Sequence, residues 1–121
     1  MHITELTADG LSRAIHARQL SCLEVMQAYL ARIAPVNPAF NAIVSLQDGD
    51  DLLRQADARD AQLARGESMG WMHGMPQAIK DLANTAGIPT TLGSPLMRQF
   101  VPKEDGLLAR RMKAAGCIVI G

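Results

Sequence analysis

The chain has 121 residues, and its twelve Lys and Arg balance twelve Asp and Glu, for a formal net charge of zero. That length fits one domain rather than two, while the missing excess of cations and the four aromatics, Tyr29, Phe40, Trp71 and Phe100, argue against nucleic acid as a partner. No apolar run approaches the ~20 residues of a membrane span, the N-terminus lacks the charged and apolar regions of a signal peptide, and Cys22 and Cys117 make no disulfide framework, so a cytoplasmic protein without membrane contact is expected.

The first third reads as helix. Thr7 or Asp9 caps a helix to about Arg18, with Leu11, Ala14, Ile15 and Arg18 at helical spacing. Ser21 and Glu24 form an S-x-x-E capping box for a second helix, whose face carries Leu23, Met26, Leu30 and Ile33. Pro35 and Pro38 are expected to end it, since proline has no N–H for the helical ladder. The run Phe40 to Leu46 predicts a strand. A third helix is expected from about Asp50 to Arg65, acidic at its start and stopped by Gly66.

Beyond Gly66 the chain is rich in Gly and Pro and reads as loops with short strands, one of them Gln77 to Leu82. Asp105 is expected to cap a helix from about Gly106 to Ala115, and Cys117 to Ile120 reads as a buried strand. A helix leading into a buried strand indicates α/β architecture, with N-terminal helices against part of a mixed sheet. An apolar core strand is an unusual place for a domain to finish, so residues 1–121 read as the N-terminal part of a single, truncated domain.

Few side chains offer chemistry. His2, His16 and His73 are scattered, and neither cysteine has a partner at ligand spacing, so no metal and no cofactor are expected. The G-x-S-x-G elbow of one hydrolase class is absent. Ser21 is accounted for as a cap, and Ser94, between Gly93 and Pro95, as a turn residue. Lys80 stands out among three lysines. In an extended chain Ala78, Lys80 and Leu82 share one face and Ile79 and Asp81 the other, so Asp81 does not pair with its neighbour. Small and apolar neighbours are the surroundings that favour a neutral, basic lysine. Local sequence alone still describes an ordinary solvated lysine.

The segment from Met72 to Ser94 resembles the stretch around the catalytic lysine of the amidase signature family. His73-Gly74-Met75-Pro76 stands for its H-G-[IV]-P, Lys80-Asp81 for its K-D, and Thr85, Gly87, Thr90, Thr91, Gly93 and Ser94 for its T-x-G-x-x-T-T-x-G-S. Met72, Met75 and Gln77 are mild departures from the usual residues. The likeness extends to the opening helices, to Asn37–Val44 and to Asp105–Gly116 before an I-V-I-G strand.

The resemblance implies a Ser–Ser–Lys amidohydrolase acting on a small-molecule amide. A serine attacks the amide, a second serine relays its proton, and Lys80 is the catalytic base; Ser94 does not inherit the nucleophile's role. Both serines of the family fall after residue 121, so the chain alone is expected to be inactive. Two other readings stay open. The Ala115–Gly121 run could begin a nucleotide-binding βα turn, although only its first glycine is present. The chain could also be a non-catalytic interaction module that self-associates through exposed apolar surface.

Overall fold

The computed structural model describes residues 2–121. Four helices, α1 (Ala8–His16), α2 (Cys22–Phe40), α3 (Gly49–Ala64) and α4 (Leu107–Ala114), accompany two short strands, β1 (Pro76–Gln77) and β2 (Ile118–Val119). The strands pair in parallel, Pro76 opposite Ile118 and Gln77 opposite Val119, so the architecture is α/β. The core gathers Leu11 and Ile15 from α1, Val25 and Met26 from α2, Leu52 and Ala56 from α3, and Cys117 to Ile120 around β2. Met72 and Met75 complete it, flexible side chains filling irregular space among larger elements.

The start of α1 is as expected, with the Thr7 side chain accepting from Gly10 N–H. The start of α2 is held twice over. Ser21 Oγ accepts from Glu24 N–H at 3.0 Å, and Glu24 reaches back to Ser21 N–H at 2.8 Å. Asp60 of α3 then accepts from Cys22 N–H at 2.7 Å and from Leu23 N–H at 3.0 Å. Those two donors have no partner within the helix, so Asp60 is a cap supplied by another element and fixes α3 against α2. Replacing Asp60 by Ala is expected to cost about 2 kcal/mol, read as a lower urea midpoint at unchanged slope.

The prolines do not end α2, which runs on to Phe40. Ala31 and Ala34, whose carbonyls lose a helical donor at Pro35 and Pro38, are exposed, as are both prolines, so water can replace the missing bonds. The stop is Asn41, at φ 48° and ψ 42°, a left-handed conformation that asparagine tolerates.

The expected strand from Phe40 to Leu46 does not form: Phe40 belongs to α2 and the rest is irregular. The Asn37 side chain takes both backbone groups of Ile43, accepting from its N–H at 2.9 Å and donating to its C=O at 3.1 Å. A residue whose backbone is occupied in this way cannot join a ladder. Just past the run, Gln47 N–H donates to Ile120 C=O at 2.9 Å. Helix α3 matches its expected limits within a residue or two and is capped by Asp48; Gly66 follows it at φ +77°.

Asp105 does not cap α4, whose N-cap is Gly106. Its carboxylate accepts instead from Ala86 N–H at 2.7 Å and from Lys113 Nζ at 2.9 Å, tying a distant loop to the far end of α4. The Ala86 hydrogen bond first, and then Lys113, hold the Asp105 carboxyl below the ordinary carboxylate range.

Candidate active site around Lys80

Strand β1 is far shorter than the expected Gln77 to Leu82, and a turn begins at Asp81. The pairing nonetheless continues past it. Ile118 N–H donates to Met75 C=O, Ile120 N–H to Gln77 C=O, and Ile79 N–H to Gly121 C=O, at 2.9, 3.0 and 2.9 Å. The alternation expected of an extended chain survives as well: Ala78, Lys80 and Leu82 are exposed, whereas Ile79 and Asp81 are half-buried. Lys80 therefore sits one residue beyond the last ladder bond, carried by a backbone that the core strand β2 holds in place.

The H-G-x-P segment is what brings β1 to β2. His73 is fully buried, with Nδ1 accepting from Met69 N–H at 3.1 Å and Nε2 donating to Arg59 C=O of α3 at 2.8 Å. Gly74 lies at φ +73° and donates its N–H to Gly116 C=O at 2.9 Å. A Cβ there would collide with Cys22 Sγ, so the contact with the start of α2 requires glycine. In the sequence His73 looked like one of several scattered histidines; its work is to pin the loop before β1 to α3.

Lys80 faces a cleft of about 340 Å³ lined by Ile43, Ser45, Ile79, Lys80, Ile88 and Thr90 among others. Most of this lining is apolar. The Lys80 side chain itself is exposed, and among the described residues it forms no ion pair. The neighbouring Asp81 turns away and accepts from Thr91 N–H at 2.7 Å and from the Thr91 hydroxyl. No sequence signal announced that bond, which joins residues ten apart. Ser94 accepts from Leu96 N–H at 3.3 Å, the turn role expected of it.

Neither cysteine is poised as a nucleophile. Burial, followed by the charge of Asp60 and hydrogen bonding to it, pushes the Cys22 thiol up to about 12, and burial raises Cys117 too. A raised folded-state value means that the unfolded chain loses its thiol proton first. The stabilising contribution of protonated Cys22 is thus complete below about pH 9 and is lost as pH climbs from there toward about 12. Stability measured against pH is expected to fall across that window, and less steeply in Cys22→Ala. Among the described residues no three His, Cys, Asp or Glu side chains gather as a metal site, and no helix is long and apolar enough to cross a membrane.

Known proteins share both the sequence and the fold. The chain is 41% identical over 95% of its length to a glutamyl-tRNA(Gln) amidotransferase subunit of Acidothermus cellulolyticus, covering 23% of that protein. It is 37% identical over 98% of its length to the corresponding protein of Streptomyces coelicolor, covering 24% of it. The peptide amidase of Stenotrophomonas maltophilia superposes with a TM-score of 0.87 at 34% identity, over 97% of this chain and 24% of that one. The chain thus spans about a quarter of the length of the relatives it matches. The Amidase family profile matches residues 24–121, from the first turn of α2 through the Lys80 cleft to the end of β2, and the chain belongs to the amidase family.

Proposed function

We propose that this chain carries the general base, Lys80, of an amidase-family site that hydrolyses a carboxylic amide at its C–N bond. The observation that supports the reading is the position of Lys80. It stands at the end of the β1–β2 ladder, facing an apolar-walled cleft, inside the matched segment.

In this reading a serine from a region matching the part of its relatives' length that residues 1–121 do not cover attacks the amide carbonyl. A second serine takes its proton and passes its own to the neutral Lys80 amine. The proton then returns along the same path to the departing nitrogen, the C–N bond breaks, and water releases the acyl group by the reverse sequence. Backbone N–H groups hold the oxyanion meanwhile. Lys80 must be uncharged to accept a proton, and Ile43, Ile79 and Ile88 would exclude water from it once the rest of the domain covers them.

On its own the chain supplies a base and no nucleophile. Among the described residues it also leaves twelve large apolar side chains exposed, Leu96 at 95% and Phe40 at 76% the most, and self-association follows where these lie side by side. The purified 121-residue protein is expected to leave simple aryl and aliphatic amides intact and to show a mass above the monomer by light scattering. Amide hydrolysis by this chain that disappears in Lys80→Ala would overturn the division of labour proposed here.

A further inference from the structure

One wall of the Lys80 cleft is tied to the residue beside Lys80. The wall includes Pro89 and Thr90, and the chain immediately after it is held by Asp81. The Asp81 carboxylate accepts from Thr91 N–H at 2.7 Å and from the Thr91 hydroxyl, while the Asp81 backbone carbonyl accepts from Leu92 N–H at 3.1 Å. Leu92 lies at φ +54° and Gly93 at φ +70°. A leucine keeps that left-handed conformation only where its surroundings fix it, and the three bonds to Asp81 do so.

Asp81 forms no ion pair among the described residues, so its carboxylate is committed to Thr91 and not to Lys80. Further back the wall has other anchors. Ser45 Oγ donates to Pro89 C=O at 3.4 Å, and Thr90 N–H donates to Phe100 C=O at 3.0 Å.

We propose that Asp81 is a positioning residue for the Lys80 site: its carboxylate latches residues 89–92 as a fixed wall of the cleft. The inference rests on the reading of Lys80 as the base and gives its substrate a rigid boundary. Two consecutive residues then serve one site. Both line the cleft, Lys80 exposed and Asp81 half-buried, and Asp81 holds the wall that an amide beside Lys80 would meet.

The test is hydrogen exchange followed by mass spectrometry on the 121-residue chain. In Asp81→Ala, exchange at Thr91 and Leu92 is expected to quicken about tenfold or more, with peptides from α2 and α3 unchanged. Asp81→Asn is expected to restore most of the protection. Its amide oxygen still accepts from Thr91 N–H, and its NH₂ can donate to Thr91 Oγ1.

Unchanged exchange in Asp81→Ala would overturn the latch. So would an Asp81→Asn variant as fast as Asp81→Ala, since charge and not hydrogen-bond geometry would then be at work. Should Asp81→Ala fail to fold, Thr91→Val removes the hydroxyl bond to Asp81, along with the 3.3 Å bond that the same oxygen accepts from Gly93 N–H, and is expected to quicken exchange at Leu92 about threefold. Unchanged protection there would equally overturn it. Exchange at backbone N–H groups breaks no C–N bond, so its outcome is independent of whether Lys80 is the base.

Discussion

Gly74→Ala is expected to lower the stability of the chain by about 2–5 kcal/mol, the sum of a left-handed backbone penalty and core overpacking. Both parts are visible at one residue. Gly74 sits at φ +73°, where an L side chain is strained whatever the space, and its Cβ would collide with Cys22 Sγ and stand 2.9 Å from Cys22 Cβ. Cys22 cannot swing aside, because it is fully buried at the first turn of α2 and its N–H is held by Asp60.

A loss of that size is a large share of the ~5–15 kcal/mol that keeps a domain folded. Urea unfolding followed by circular dichroism would measure it. Cys22→Ala removes the sulfur, the closest clash, so the double variant should be less unstable than the sum of the two single ones by about 1 kcal/mol or more. Strict additivity would mean that the sulfur is not what Gly74 makes room for. Gly116 is expected to be as intolerant, since its Cβ would stand 2.7 Å from His73 Cα, a backbone atom with no rotamer to change.

These glycines show where the sequence was legible and where it was not. Helix starts read well, because a cap and the N–H groups it satisfies lie within three residues of each other, as for Thr7 with Gly10 and Ser21 with Glu24. Signals that depend on distant surroundings read poorly. Pro35 and Pro38 looked like a stop but lie on the exposed face of α2, where the freed carbonyls meet water. The apolar run after Phe40 looked like a strand until Asn37 claimed the backbone of Ile43. Asp105 had the placement of a cap, and Ala86 and Lys113, 19 and 8 residues away, took its carboxylate instead.

The Lys80 site was legible in the same uneven way. The alternation of exposed and half-buried residues from Ala78 to Leu82 follows from extended geometry alone, although the strand itself is only two residues long. The motif order singled out Lys80. What the motif could not say is why its other members are there. His73 reaches α3, Gly74 makes room for α2, and Asp81 holds Thr91, three contacts that exist only once the chain has folded.

The second large effect concerns chemistry. It is read in a chimera in which this chain stands in for the matching quarter of the Stenotrophomonas maltophilia peptide amidase, with which it superposes at a TM-score of 0.87. In such a chimera Lys80→Ala is expected to lower kcat by about 10²–10⁴-fold, the range that a positioned general base contributes. KM should change little, because a base acts on the proton in the transition state more than on the bound amide. Lys80→Arg should do no better than Lys80→Ala, since a guanidinium stays protonated and cannot accept a proton.

The proposed chemistry stands or falls with Lys80. The deciding quantity is kcat of the chimera with and without Lys80→Ala, with unfolding midpoints recorded for both proteins. A loss of about a hundredfold or more is expected, far beyond what any accompanying shift in the midpoint accounts for. Activity retained within about threefold would contradict this role and would leave Lys80 as an ordinary surface lysine at the rim of a cleft.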